Sequence, residues 1–101
     1  KAAIKKADVV FTGEGKIDSQ TANGKTICGL ANLCRKYHVP LIALAGTVSG
    51  DLEVLFQQGL TAAFSIANQP LSLDESKKQA ANLISVTTEQ IMRVISGTKI
   101  A

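Results

Sequence analysis

Two kinds of apolar pattern alternate along this chain, short continuous runs and stripes spaced three and four residues apart. "ADVVFTG", residues 7–13, is a β-branched run ended by Gly13 and reads as a strand covered on both sides. Further on, Ile27, Leu30, Ala31 and Cys34 fall at i, i+3, i+4 and i+7, one stripe of an amphipathic helix running to about Tyr37. Arg35 and Lys36 stand in its last turn, where cations suit the helix dipole. "VPLIALAG", residues 39–46, predicts a second buried strand with Pro40 at its entry. Asp51 is expected to cap a short helix, "LEVLFQQ", residues 52–58, which Gly59 terminates. "AAFSIA", residues 62–67, predicts a third strand. Ser72 and Glu75 stand at capping-box spacing before a last helix, on which Ile84, Thr88, Ile91 and Ile95 keep one face apolar until Gly97.

The order is βαβαβα, which implies a parallel sheet with right-handed crossovers and helices on its faces, a three-layer α/β segment. Three strands and three helices make a modest core, and parallel sheet edges are rarely left bare, so further strands are expected beside these. The chain starts at Lys1 without an initiating Met and enters its first strand almost at once, which suggests a fragment of something longer. Residues 68–76 read as a loose strand-to-helix loop, and no internal repeat or low-complexity tract occurs. "LEVLFQ", residues 52–57, matches the recognition sequence of a picornaviral protease used in engineered linkers. Such linkers continue Gly-Pro, whereas Gln58 and Gly59 follow here and complete an amphipathic helix, so the segment reads as native.

Composition narrows the function classes. With 46% hydrophobic residues and little aromatic content, the 101 residues fit an aliphatic-cored domain, or a piece of one, rather than a disordered segment. The net charge of +3 comes from scattered lysines with no basic run interleaved with aromatics, so no nucleic-acid partner is expected. No apolar stretch is long enough to span a bilayer and no signal peptide opens the chain, so no membrane partner is expected either. Cys28 and Cys34, six apart on one helix, lie on different faces and out of disulfide reach. Free thiols in a reducing cytoplasm are the expectation.

The chemistry concentrates in "FTGEGKIDSQTANGK", residues 11–25, read as a glycine-rich loop leaving the carboxyl end of the first strand and entering a helix N-terminus. In open α/β sheets that position binds ligands and favours an anion. The Walker pattern is nearly met by Gly24, Lys25 and Thr26, but its first glycine falls on Ser19; the dinucleotide pattern starts at Gly13 and Gly15 and then meets Asp18. Neither is satisfied. What remains is a set: Gly13 and Gly15 to offer backbone amides, Glu14 and Asp18 as carboxylates, Lys16 and Lys25 as cations, and Ser19, Gln20, Thr21 and Asn23 as polar donors. Cations with amides neutralise phosphate, and a carboxylate holds Mg²⁺ or accepts a hydroxyl proton, the parts that phosphoryl transfer needs. The bland reading is that Asp18, Ser19 or Thr21 simply caps the next helix. Capping, however, calls for neither two lysines nor spaced glycines. "GTVSGDLE", residues 46–53, brings a second polar glycine loop to the matching end of the second strand. His38, the lone histidine, reads as a solvated or capping residue at a helix end.

"TGEGKIDSQTANGK", followed by a helix and "VPLIALAG", closely resembles the signature region of bacterial glycerate kinases that transfer phosphate from ATP to D-glycerate. The resemblance covers essentially the whole chain. It implies that residues 1–101 are the C-terminal portion of a longer two-domain kinase, completing a Rossmann-like domain around a cleft that holds ATP and glycerate. Lys16 stands where arginine is frequent, which keeps the charge but loses the bidentate fork. Within the loop, Asp18 is the first candidate for Mg²⁺ ligation or general base and Glu14 the second, with Lys16 and Lys25 on phosphate or the glycerate carboxylate. Alone, the chain is expected to be inactive and to self-associate through its uncovered sheet. The competing class is a stand-alone phosphate- or nucleotide-sensing regulatory module. A receiver-type domain is disfavoured because the first strand ends in Thr12 and Gly13 rather than acidic residues, and a metal-redox module because Cys and His are not paired at ligand spacing.

Overall fold

The alternating pattern folds, in a computed structural model that describes residues 2–67 and 72–97, into four helices and three strands joined by short turns. They are α1 (Ala2–Lys6), β1 (Val10–Ile17), a 3₁₀ turn (Thr21–Asn23), α2 (Lys25–Lys36), β2 (Leu41–Val48), α3 (Glu53–Gln58), β3 (Ala62–Ser65) and α4 (Leu73–Gly97). The chain divides after Ser65 into two compact units, the first holding the sheet with α1 to α3 and the second holding α4.

In the first unit the sheet is parallel throughout, in the order β1-β2-β3. β1 pairs with β2 from Val10 opposite Leu41 to Ile17 opposite Val48, and β2 with β3 from Ile42 opposite Ala62 to Ala45 opposite Ser65. Leu41 to Ala45 are buried without interruption, as suits the middle strand of a parallel sheet. α2 and α3 deliver Ile27, Ala31, Cys34 and Leu55 to one core with Ile17, Leu41, Ala43, Ala45 and Leu60. The stripe read from spacing is therefore the packed face of α2. Both cysteines are free, Cys34 buried and Cys28 half-buried; burial pushes the Cys34 thiol pKa up.

The ends of these helices are set by local chemistry. α2 closes on a left-handed His38, at φ 56°, with Val39 N–H donating to the Cys34 carbonyl and His38 N–H to that of Arg35. That is the Schellman pattern, so His38 serves the helix end through its backbone. α3 ends on Gly59 at φ +131°, where a Cβ would also collide with the Ala31 carbonyl oxygen of α2. Glycine is needed there twice over, for its conformation and for the close approach of the two helices. Asp51 accepts the Glu53 N–H at 2.9 Å, opening α3 as its sequence suggested.

Several boundaries differ from the sequence reading, and β3, expected over residues 62–67, ends at Ser65. A helical turn, α1, precedes the first strand. β2 runs on through Thr47 and Val48. Above all, β1 does not stop at Gly13 but continues through Glu14, Gly15, Lys16 and Ile17, so half of the expected loop is strand. The glycines argued for a loop on propensity, but pairing with the extended β2 and the complete burial of Ile17 override it.

In the second unit, Glu75 N–H donates to Ser72 Oγ at 3.1 Å and Ser72 N–H to Glu75 Oε1 at 3.4 Å, the reciprocal capping box expected of α4. Glu89 and Arg93 pair one turn apart, at 3.4 Å. The least exposed residues of α4 are Ala80, Leu83, Thr87, Thr88 and Ile91, while Ile84 and Ile95 are exposed. Of the expected face only Ile91 is buried, because the stripe turns on Leu83 rather than Ile84. The expected loop at residues 68–76 begins outside the described residues.

Candidate functional site

β1 carries its polar cargo to the carboxyl edge of the sheet and hands it to a tight turn. Gly13, Glu14, Gly15 and Lys16 lie along the strand, with Glu14 opposite Ala45 and Lys16 opposite Thr47. Gly13 and Gly15 are exposed, neither has a positive φ, and a Cβ added to either would meet nothing within 4 Å. Unusual backbone conformation is thus not their reason, and what they leave is open space beside a strand backbone. Gly46 differs: a Cβ there would stand 3.0 Å from the Gly15 carbonyl oxygen of the neighbouring strand.

After Ile17 the chain turns on Asp18. The Asp18 N–H donates to Thr21 Oγ1 at 2.9 Å, the Thr21 N–H returns a bond to the Asp18 carbonyl at 3.0 Å, and the Gln20 N–H donates to Asp18 Oδ1 at 2.9 Å. The other carboxylate oxygen, Oδ2, lies 3.3 Å from Lys16 Nζ. The Gln20 amide, then the lysine, hold the Asp18 carboxyl below its ordinary value of 3.8, so it stays ionised. The lysine is largely exposed, which keeps the ion pair weak and the ammonium available to another anion.

The turn leads into α2 through Gly24, a cap without a side-chain hydrogen bond. The Asp18 carboxylate accepts from the Gln20 N–H and the Thr21 hydroxyl from the Asp18 N–H, so neither caps α2. The 3₁₀ segment, with Gln20 as its N-cap, has no side-chain cap bond either. The first-turn amides of α2 are left to other acceptors. Lys25 is the first residue of α2, and its side chain lies outside the described residues. The second βα loop fastens the first: Ser49 N–H donates to the Ile17 carbonyl at 3.0 Å, and Gly50, at φ +79°, lies against Ser19.

Lys16, Asp18, Gln20 and Thr21 are therefore joined by direct bonds, with Ser19 against the neighbouring loop and Gly13, Glu14 and Gly15 behind them on β1. Roughly 10 Å of strand separates Glu14 from Ile17, at about 3.3 Å per residue. Among the described residues no three His, Cys, Asp or Glu side chains gather as a metal-binding group. One ionised carboxylate still fits Mg²⁺, which uses one or two carboxylates together with waters and substrate phosphates.

One contact escaped the sequence reading. Gln58, at the end of α3, donates from Nε2 to the Ala22 carbonyl at 3.3 Å, and the Cys28 thiol meets the same carbonyl at 2.7 Å. Residues 22 and 58 are 36 apart in the chain, and no local pattern announces such a contact.

Residues 1–96 match the family described as the glycerate kinase family, and the chain belongs to it. It is 43% identical over 96 residues to a glycerate kinase of Halalkalibacterium halodurans, covering 95% of this chain and 25% of that protein. It is 39% identical over 88 residues to a glycerate 2-kinase of Escherichia coli, covering 87% of this chain and 23% of that protein. A crystal structure described provisionally as glycerate kinase 2 from Salmonella typhimurium LT2 superposes with a TM-score of 0.65 at 33% identity, over 95% of this chain and 24% of that one. The chain thus spans about a quarter of the length of the relatives it matches.

Proposed function

We propose that this chain is the C-terminal part of a kinase that transfers a phosphoryl group from ATP to D-glycerate, giving phosphoglycerate and ADP. The observation that carries this reading is the family match across residues 1–96, which spans the whole β1, turn and α2 segment. The geometry supports it. A loose, charge-spread phosphoryl transition state asks for positioning and electrostatic stabilisation more than for covalent chemistry. Here an exposed ammonium, an ionised carboxylate and an open strand edge converge on the carboxyl end of β1.

In this mechanism Lys16 and Lys25 bind phosphate or the glycerate carboxylate, and the Gly13 and Gly15 backbone comes close to the bound anion. Ser19, Gln20 and Thr21 shape the turn and offer polar contacts. Asp18 would hold Mg²⁺, which supplies neutralisation of charge on the transferring group when bound with the nucleotide. Its lowered pKa keeps Asp18 in the charged form that a cation needs. Glu14 is the second candidate for the base. Cytoplasmic location and the Rossmann-like setting belong to the same proposal. Among the described residues no helix is long and apolar enough to cross a membrane.

The test is a coupled assay for ADP release on the full-length protein that carries this chain, with ATP, Mg²⁺ and D-glycerate. Glycerate-dependent turnover is expected. ATP binding without any glycerate-dependent rate would instead favour the regulatory module.

A further inference from the structure

We propose that Gln58 is a positioning residue that holds the Asp18 turn in place from behind, through the carbonyl of Ala22. The catalytic consequence rests on the phosphoryl-transfer reading above; the structural one does not. Ala22 is the middle residue of the 3₁₀ turn, and its carbonyl can only accept. It receives the Gln58 Nε2–H at 3.3 Å and the Cys28 thiol at 2.7 Å, while Gln58 Oε1 lies 3.2 Å from the same sulfur. The amide orientation follows from the carbonyl, which requires the nitrogen; the single thiol proton serves either that carbonyl or Gln58 Oε1, not both. A closed set of three contacts thus joins the turn, α2 and α3.

The anchor behind Gln58 is firm. Gly59 brings the end of α3 against the Ala31 carbonyl of α2, and Arg35 Nη1 donates to the Gln57 carbonyl at 3.1 Å. Ahead of it, Ala22 follows Thr21, whose hydroxyl and N–H both bond Asp18. The route from the helix pair to the Asp18 backbone is therefore contiguous, through hydrogen bonds and the covalent step from Ala22 to Thr21. Besides bonds within itself, Asn23 N–H to Gln20 and Gly24 N–H to Thr21, the turn is tied at its start by Ser49 N–H to the Ile17 carbonyl and by Gly50 against Ser19. Ala22 packs on the core, and Gln58 is the side-chain amide donor that reaches it from α3. A misplacement of about 1 Å costs about a hundredfold in rate where geometry matters, so a residue remote from substrate acquires a kinetic role.

The test compares the full-length protein with Gln58→Met, which keeps length and apolar packing but cannot donate, and with Cys28→Ser, which keeps a donor to Ala22. Gln58→Met should lower kcat by about tenfold to a hundredfold with KM little changed. Its Tm should shift by less than about 4 °C. Amide exchange at Gln20, Thr21, Asn23 and Gly24 should quicken by roughly fivefold, the equivalent of one net hydrogen bond, with Ala43 and Leu44 unmoved. Cys28→Ser should stay near the parent in both. Unchanged exchange in the turn, or faster exchange with an unaltered kcat, would overturn the proposal. If the parent itself lacks glycerate-dependent turnover, the kinase reading falls by that result alone, and the exchange rates still decide whether Gln58 holds the turn.

Discussion

At the scale of single residues, Asp18 is where the capping and functional readings meet. Its Oδ1 accepts the Gln20 N–H, a bond that asparagine can also make, while the negative charge is what a cation requires. Asp18→Asn in the full-length enzyme is therefore expected to fold normally and lose at least about a hundredfold in kcat, since a bound cation contributes several kcal/mol of charge stabilisation. A near-normal kcat would move the chemistry to Glu14, with Glu14→Gln measured beside it. The lowered Asp18 pKa has a second consequence. A group depressed on folding contributes stability above its unfolded value and loses it as pH falls through the folded one. Thermal melts should show the gap between parent and Asp18→Asn closing below about pH 4, and kcat should carry no acid limb from Asp18 near neutrality. Gly13→Ala and Gly15→Ala complete the residue scale. The space beside them is open, so melting should hardly change, and a loss of turnover would mark the strand as a ligand-facing edge.

At the scale of elements, the α2–α3 contact is the joint on which the turn depends. Gly59→Ala places a Cβ both at a positive φ and against the Ala31 carbonyl, a backbone atom with little room to yield. It should destabilise by more than about 2 kcal/mol, beyond the conformational cost of about 1 kcal/mol alone, as read from denaturant midpoints. The α4 capping box offers a milder contrast. Ser72→Ala removes the acceptor of the Glu75 N–H and should cost about 1 kcal/mol, with no effect on turnover. These elements were legible for different reasons. Ile27, Ala31 and Cys34 announced α2 because a helix repeats every 3.6 residues, and Ser72 with Glu75 announced the start of α4 because capping is local. The end of β1 was misread because strand length is settled by a partner, and that partner, Gly46 to Val48, lies some thirty residues away.

At the scale of the whole molecule, a chain spanning a quarter of its relatives' length presents a three-stranded sheet with β1 and β3 at its edges. On the proposed reading, a kinase site needs nucleotide and acceptor held together, and these loops would make one wall of it. The isolated 101 residues should show no ADP release with D-glycerate, whereas a glycerate-dependent rate would sink the two-sided cleft. They should also self-associate, since an uncovered edge or apolar face is relieved most cheaply against another copy. Light scattering that returns a monomer at tens of micromolar, roughly the range of such weak contacts, would count against this.

What the sequence by itself determined is what short-range chemistry controls: the βαβαβα alternation, the parallel sheet it implies, the stripe of α2, the caps at Asp51 and Ser72, the break at Gly59, and the cluster of charges and glycines between residues 13 and 25. Tertiary structure alone decided the rest. It drew Gly13 to Ile17 into a strand and turned two glycines from loop-makers into open space, because β2 had backbone groups to pair with them. It spent the Asp18 carboxylate on the Gln20 N–H and the Thr21 hydroxyl on the Asp18 N–H rather than on α2, because the turn's amides were nearer than the helix. It also brought Gln58 to Ala22 across 36 residues, a contact set by the packing of α3 on α2 that no period or motif encodes.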